Sequence, residues 1–219
     1  MSQWITLDTP HGPVRAWQAL PDATPRAGLV VIQEIFGANA HIRHVAGQYA
    51  AAGYAVLAPA FFDPLAPGLE LDYDAAGTAR GKALVDELGV DRAVDIVDAA
   101  ARALAGYGKV GTVGYCWGGT IALLAAQRLG LPSASYYGAR DLPFLDAAFK
   151  APAIFHFGEL DPSIPPAAVA AHREKQPAMP VYVYPADHAF NREGGPHHHA
   201  ASAELARERT LAFFNENLR

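Results

Sequence analysis

Strand-length apolar runs recur along this chain, each separated from the next by a segment with helical spacing. They fall at residues 29–35 (LVVIQEI), 54–60 (YAVLAPA), 110–115 (VGTVGY), 134–137, 153–157 and 181–184. Helical stretches fall at 42–52, 80–88, 92–104, 120–129, 142–149, 166–175 and 200–217. A strand apolar on both faces must be covered on both faces, and a crossover helix supplies that cover. The alternation therefore predicts a doubly wound α/β fold, with a mostly parallel central sheet flanked by helices. Ahead of it, residues 4–9 and 14–20 read as a hairpin turning at His11-Gly12-Pro13. No repeat, low-complexity tract or polar linker divides the chain, so residues 1–219 are expected to form a single domain. The Pro- and Gly-rich stretch 63–77 reads as an excursion over a pocket.

Charge narrows the choice of partner. Lys and Arg number 17 against 22 Asp and Glu, a net charge of −5 with no basic block, which argues against nucleic acid and anionic membrane. A small molecule is the expected partner and a monomer the expected state. The single cysteine, Cys116, excludes an internal disulfide and fits a reducing compartment. Residues 1–17 lack a basic region followed by an apolar stretch, so no signal peptide is read and a cytoplasmic location is expected. Residues 110–127 carry no charge over 18 positions, the length of a membrane span, but Gly111, Gly114, Gly118 and Gly119 interrupt them. They read as a buried strand, a turn and a buried helix.

That turn is Gly114-Tyr115-Cys116-Trp117-Gly118-Gly119. It fits the Gly-x-nucleophile-x-Gly elbow, in which a strained strand-to-helix turn lifts the nucleophile to the carboxyl end of the sheet. Flanking glycines let neighbouring backbone approach without a Cβ clash. The following helix N-terminus, with its partial positive charge and free N–H groups, favours a thiolate and an oxyanion. Such a nucleophile needs an acid and then a histidine further along the chain. Asp161 follows the strand AIFHFG and His188 follows VYVYPA, both just beyond strand ends. Asp187 and Asp141 are alternative acids, otherwise read as a turn and a helix-entry residue. Among the other histidines, His11, His41, His44 and His172 have an ordinary solvated reading and His156 sits within a strand. His197-His198-His199 reads as a solvated loop rather than a metal cluster, because consecutive side chains diverge.

These motifs, with Gln33-Glu34-Ile35-Phe36-Gly37, Ser135-Tyr136-Tyr137-Gly138, and Phe190 and Arg192 after His188, give nearly the whole chain a resemblance to the dienelactone hydrolases, carboxymethylenebutenolidases of the α/β-hydrolase fold. The resemblance implies a cysteine hydrolase that opens an unsaturated lactone to maleylacetate during chloroaromatic degradation, through a thioester. It implies Cys116 as nucleophile, His188 as base and Asp161 as its orienter, with the Ile35 and Trp117 N–H groups as oxyanion hole. Glu34 would be an extra carboxylate held by Arg192 until the substrate carboxylate draws the arginine away, so the resting thiol would be protected. Arg80, Arg192, Tyr137 and Phe36 would contact a carboxylate-bearing lactone or ester, and no metal or organic cofactor is called for. A planar guanidinium suits bidentate capture of a carboxylate, and a carboxylate beside the thiol disfavours the thiolate. The alternatives are an esterase or thioesterase with a different acyl substrate and, in another class, a ligand-binding or thiol redox-sensing module.

Overall fold

The computed structural model describes residues 1–219, as eight strands in the sheet order β1-β2-β4-β3-β5-β6-β7-β8 and five α-helices. The residues group into two compact units, Met1–Thr112 with Arg219, and Val113–Leu218. No helix is long and apolar enough to cross a membrane.

In the first unit β1 (Ser2–Thr9) and β2 (Gly12–Ala19) form the expected hairpin, with Trp4 opposite Trp17 and Gly12 at φ 96° on the corner. β2 pairs antiparallel with β4 (Ala55–Pro59), and β4 pairs parallel with β3 (Gly28–Ile32). Every residue of β3 and β4 is buried, which is why both read as continuous apolar runs. Helix α1 (Ala40–Ala51) starts at Asn39, whose side chain accepts the Ile42 N–H, and buries Ile42, Val45, Ala46 and Tyr49 on one face. The two helices expected at 80–88 and 92–104 are present, joined end to end within Ala75–Leu104 (α2) across Gly89, whose non-helical φ of 72° is open to glycine without strain. Asp74 caps α2 by accepting the Gly77 N–H at 2.6 Å.

β3 ends three residues earlier than the sequence predicts. The buried Gln33 side chain accepts the Phe61 N–H and donates to the Glu34 carbonyl, so a side chain replaces the sheet ladder and releases residues 33–36 into a turn. The Pro-rich stretch folds back on that turn. Leu71 N–H donates to Phe36 O, and the Tyr73 ring packs edge-on against Phe36 with centroids 4.6 Å apart.

In the second unit, helix α3 (Trp117–Arg128) follows β5 (Val110–Tyr115). Strands β6 (Ser133–Tyr136), β7 (Ala153–Gly158) and β8 (Val181–Tyr184) pair in parallel, with α4 (Pro166–Lys175) between the last two and α5 (Ala200–Asn217) at the end. The helix expected at 142–149 is a single 3-10 turn, Leu142–Phe144. Pro143 lacks an N–H, and side chains from elsewhere take the carbonyls that a helix would use: Gln127 donates to Phe144 O and Ala147 O, and Gln176 to Leu145 O.

His172 also departs from expectation: it is buried, not solvated, and faces the buried Asp141. His156 is fully buried between Tyr184 and Thr210 hydroxyls. Burial first, and then the Arg209 charge, push its pKa down to about 3, so it stays neutral.

Candidate active site

Cys116 caps α3 in a backbone conformation of φ 54°, ψ −118°, unusual for any residue with a side chain. The surrounding contacts hold it there. Its N–H donates to Tyr136 O, and its carbonyl accepts the Gly119 N–H, each at 2.9 Å. A Cβ on Gly114 would lie 1.8 Å from Gly118 O, and one on Gly119 would lie 2.8 Å from Tyr136 O. The glycines around the cysteine thus answer a steric demand between backbones, and the turn that they permit presents a partly exposed thiol at the head of a helix.

His188 and Asp161 converge on that sulfur. The turn after β7 carries Asp161, which is buried and accepts the Ser163 N–H on Oδ1 at 2.8 Å. The loop after β8 carries His188. Its Nδ1 lies 2.6 Å from Asp161 Oδ2, and its Nε2 lies 3.2 Å from Cys116 Sγ. The two loops close on each other because Gly158 has no Cβ, which would sit 2.3 Å from Ala186 O.

The His188 pKa is raised to about 10. Burial acts first and would lower it, but hydrogen bonds to Asp161 and Cys116 and their charges outweigh that effect. As an imidazolium, His188 has both ring N–H groups engaged, one toward the carboxylate and one toward the sulfur.

The sequence-predicted residues fall in two groups, one in each unit. With Cys116, His188 and Asp161 stand Trp117, the first residue of α3, and Tyr137, whose ring lies 5.1 Å from that of His188 and whose backbone has φ 41°. Arg192 lies on the His188 loop, where its N–H donates to Ala189 O. In the first unit Glu34, Ile35 and Phe36 are buried in the turn after β3. Arg80 is exposed on α2, next to Gly81, at which a Cβ would lie 2.1 Å from the Ile35 carbonyl.

Three further residues have structural roles that the sequence reading did not give them. Asp187 accepts the His188 N–H on one oxygen and pairs with His197 through the other at 2.8 Å, fixing the backbone of the histidine loop. His199 is likewise committed, as the N-cap of α5. Tyr73, held by Asn39 at its hydroxyl and half exposed against Phe36, stands beside a predicted pocket residue. Only its aromatic character within a loop that was already expected to cover a pocket could have marked it.

An α/β sheet with an elbow residue, an acid and a histidine just past the ends of β5, β7 and β8 defines an α/β hydrolase. A profile of the dienelactone hydrolase family matches residues 14–218, and the chain belongs to that family. It is 33% identical over 206 residues to a carboxymethylenebutenolidase of Pseudomonas putida, covering 88% of this chain and 87% of the relative. Carboxymethylenebutenolidase 1 of Cupriavidus pinatubonensis is 32% identical over 200 residues, covering 86% of each. The crystal structure of a Klebsiella pneumoniae protein assigned as a dienelactone hydrolase superposes with a TM-score of 0.86 at 27% identity, over 99% of this chain and 98% of that one. The protein is an ester or lactone hydrolase.

Proposed function

We propose that Cys116 is the nucleophile of this hydrolase and that its substrate is an enol lactone of the dienelactone type, bearing a carboxylate and opened to maleylacetate. The observation that carries the first part is the continuous contact Sγ–Nε2 at 3.2 Å and Nδ1–Oδ2 at 2.6 Å. The thiolate adds to the lactone carbonyl carbon, and backbone N–H groups hold the oxyanion. The tetrahedral intermediate collapses, the ring C–O bond breaks, and the enolate leaves. Once Cys116 is acylated its charge is gone, and His188 can shed its proton to the leaving group. Neutral His188 then takes a proton from water, which cleaves the thioester and restores the thiolate. Asp161 holds the ring orientation throughout.

The substrate assignment rests on the family and on the carboxymethylenebutenolidases among its relatives. The roles of Glu34, of Ile35 and Trp117 as oxyanion donors, and of Arg80, Arg192, Phe36 and Tyr137 as substrate contacts rest on the family resemblance. A stabilised enolate suits a thiolate nucleophile, because sulfur otherwise leaves a tetrahedral intermediate more readily than an alkoxide does.

A panel of dienelactone isomers and simple aryl esters, assayed with wild type and Cys116→Ala, tests both parts. The expected result is preference for the enol lactone and loss of about 10³-fold or more in Cys116→Ala. Faster simple esters would overturn the substrate, and an active Cys116→Ala would overturn the nucleophile.

A further inference from the structure

A second acid–histidine pair lies in the same unit as the triad, with no sulfur in reach. Asp141, in the turn after β6, is buried, and its Oδ2 lies 3.2 Å from Nε2 of the equally buried His172 on α4. Its Oδ1 lies 2.6 Å from Oγ1 of Thr120, in the first turn of α3, four residues after Cys116. Thr120 Oγ1 accepts the Arg140 N–H at 3.3 Å, so its own proton is free to point at Asp141. A threonine inside a helix ordinarily returns that proton to the carbonyl four residues back. In α3 that carbonyl belongs to Cys116 and already accepts the Gly119 N–H.

The proton count of the pair follows from its partners. His172 Nδ1 lies 2.8 Å from Ala168 O, and a carbonyl can only accept, so Nδ1 carries a hydrogen. A proton must then also lie between Nε2 and Oδ2, whether it sits on the imidazole or on the carboxyl, since otherwise two lone pairs would face each other in a buried site. The pair is therefore neutral as a unit, the condition under which an acid and a base tolerate full burial.

The packing leaves it little room to move. A Cβ on Gly138 would fall 2.7 and 2.8 Å from the two Asp141 oxygens and 2.8 Å from Ser135 Oγ. A Cβ on Gly119 would fall 2.9 Å from the same Ser135 Oγ and 3.0 Å from Gly138 Cα. The head of α3, the end of β6 and the Asp141 turn meet there around the Ser135 hydroxyl and the Asp141 carboxylate, with no space for a further side chain.

We infer that Thr120, Asp141 and His172 form a buried, charge-neutral clamp of positioning residues that fixes the first turn of α3 and with it Cys116 and the Trp117 N–H. Unlike Asp161, which faces an imidazolium that acts on sulfur, Asp141 works by shape and hydrogen bonding. This rests on the elbow being the reacting centre, as proposed above. It makes an unusual demand on substitution. An asparagine at 141 keeps every bond, because its carbonyl accepts from Thr120 and its amide donates to a neutral His172 Nε2. At 161 the same change removes the charge that holds His188 protonated.

The experiment compares Asp141→Asn, Asp141→Ala, Thr120→Val and Thr120→Ser by kcat and KM on the best ester or lactone substrate, with thermal midpoints and with Cys116→Ala and Asp161→Asn alongside. Asp141→Asn and Thr120→Ser are expected to stay within about threefold of wild-type kcat, while Asp141→Ala and the isosteric Thr120→Val lose about tenfold or more with KM within about twofold. Asp161→Asn is expected to lose about 10³-fold or more. The clamp is overturned if Thr120→Val keeps wild-type kcat, or if Asp141→Asn is as damaging as Asp141→Ala. Should Asp141→Ala fail to fold, the comparison of Thr120→Val with Thr120→Ser and the Asp141→Asn result decide the matter. Full activity in Cys116→Ala would instead remove the nucleophile reading, whatever the clamp variants do.

Discussion

The charge on the imidazole is the first consequence of the His188 environment. With its pKa raised to about 10, His188 keeps its proton across the neutral range, and the sign follows: the imidazolium persists as pH rises and is lost only near 10. An NMR titration should show the His188 ring losing its proton only near pH 10, and a midpoint near the ordinary value of about 6.5 would contradict that. The resemblance implies a resting thiol protected by Glu34, so iodoacetamide should label Cys116 faster with a carboxylate-bearing ligand present than without it. Labelling that is equally fast in the free enzyme would count against the protected thiol. At this scale the triad was legible because Cys116, Asp161 and His188 each follow a strand end, which the sequence marks. Asp141 and His172 were not, because 31 residues separate them and nothing local shows that α4 turns its histidine inward.

Among the elements, the elbow between β5 and α3 depends on absent side chains. Gly114→Ala would drive a methyl into the Gly118 carbonyl, which neither strand nor helix can yield, since a separation of 1.8 Å is far inside contact. Gly47, inside α1, has nothing within 4 Å of its added Cβ. Urea unfolding should show Gly114→Ala destabilised by at least ~2 kcal/mol and Gly47→Ala stabilised by ~0.5–1 kcal/mol, following the helix preference for alanine. Equal effects at the two positions would contradict the steric account of the elbow. The sequence located both glycines but could not rank them, since the ranking depends on the backbone that passes within reach. Element ends were the least legible part for the same reason. β3 stops at Ile32 because the Gln33 side chain takes over, and 142–149 stays largely unwound because Gln127 and Gln176 claim its carbonyls.

For the whole molecule, apolar periodicity was enough to indicate the class, because a strand buried on both faces leaves a mark in every residue. β3, β4 and β7 are buried throughout and were read as strands on that ground. Substrate choice is written less openly. It depends on individual loop side chains, and Asp187, which fixes the backbone of the His188 loop, shows that loops contribute residues no periodicity reveals. The net charge of −5 carries no preference for a carboxylate ligand, so the proposed substrate contacts at Arg80 and Arg192 would have to supply one locally. The central claim is chemical: carbon–sulfur bond formation at Cys116. Intact-mass spectrometry of enzyme quenched during turnover, followed by peptide mapping, measures it directly. The account requires an acyl adduct of the substrate's mass on the peptide containing Cys116, absent in Cys116→Ala. Turnover with no adduct on that peptide, or an adduct mapped to another residue, would contradict it.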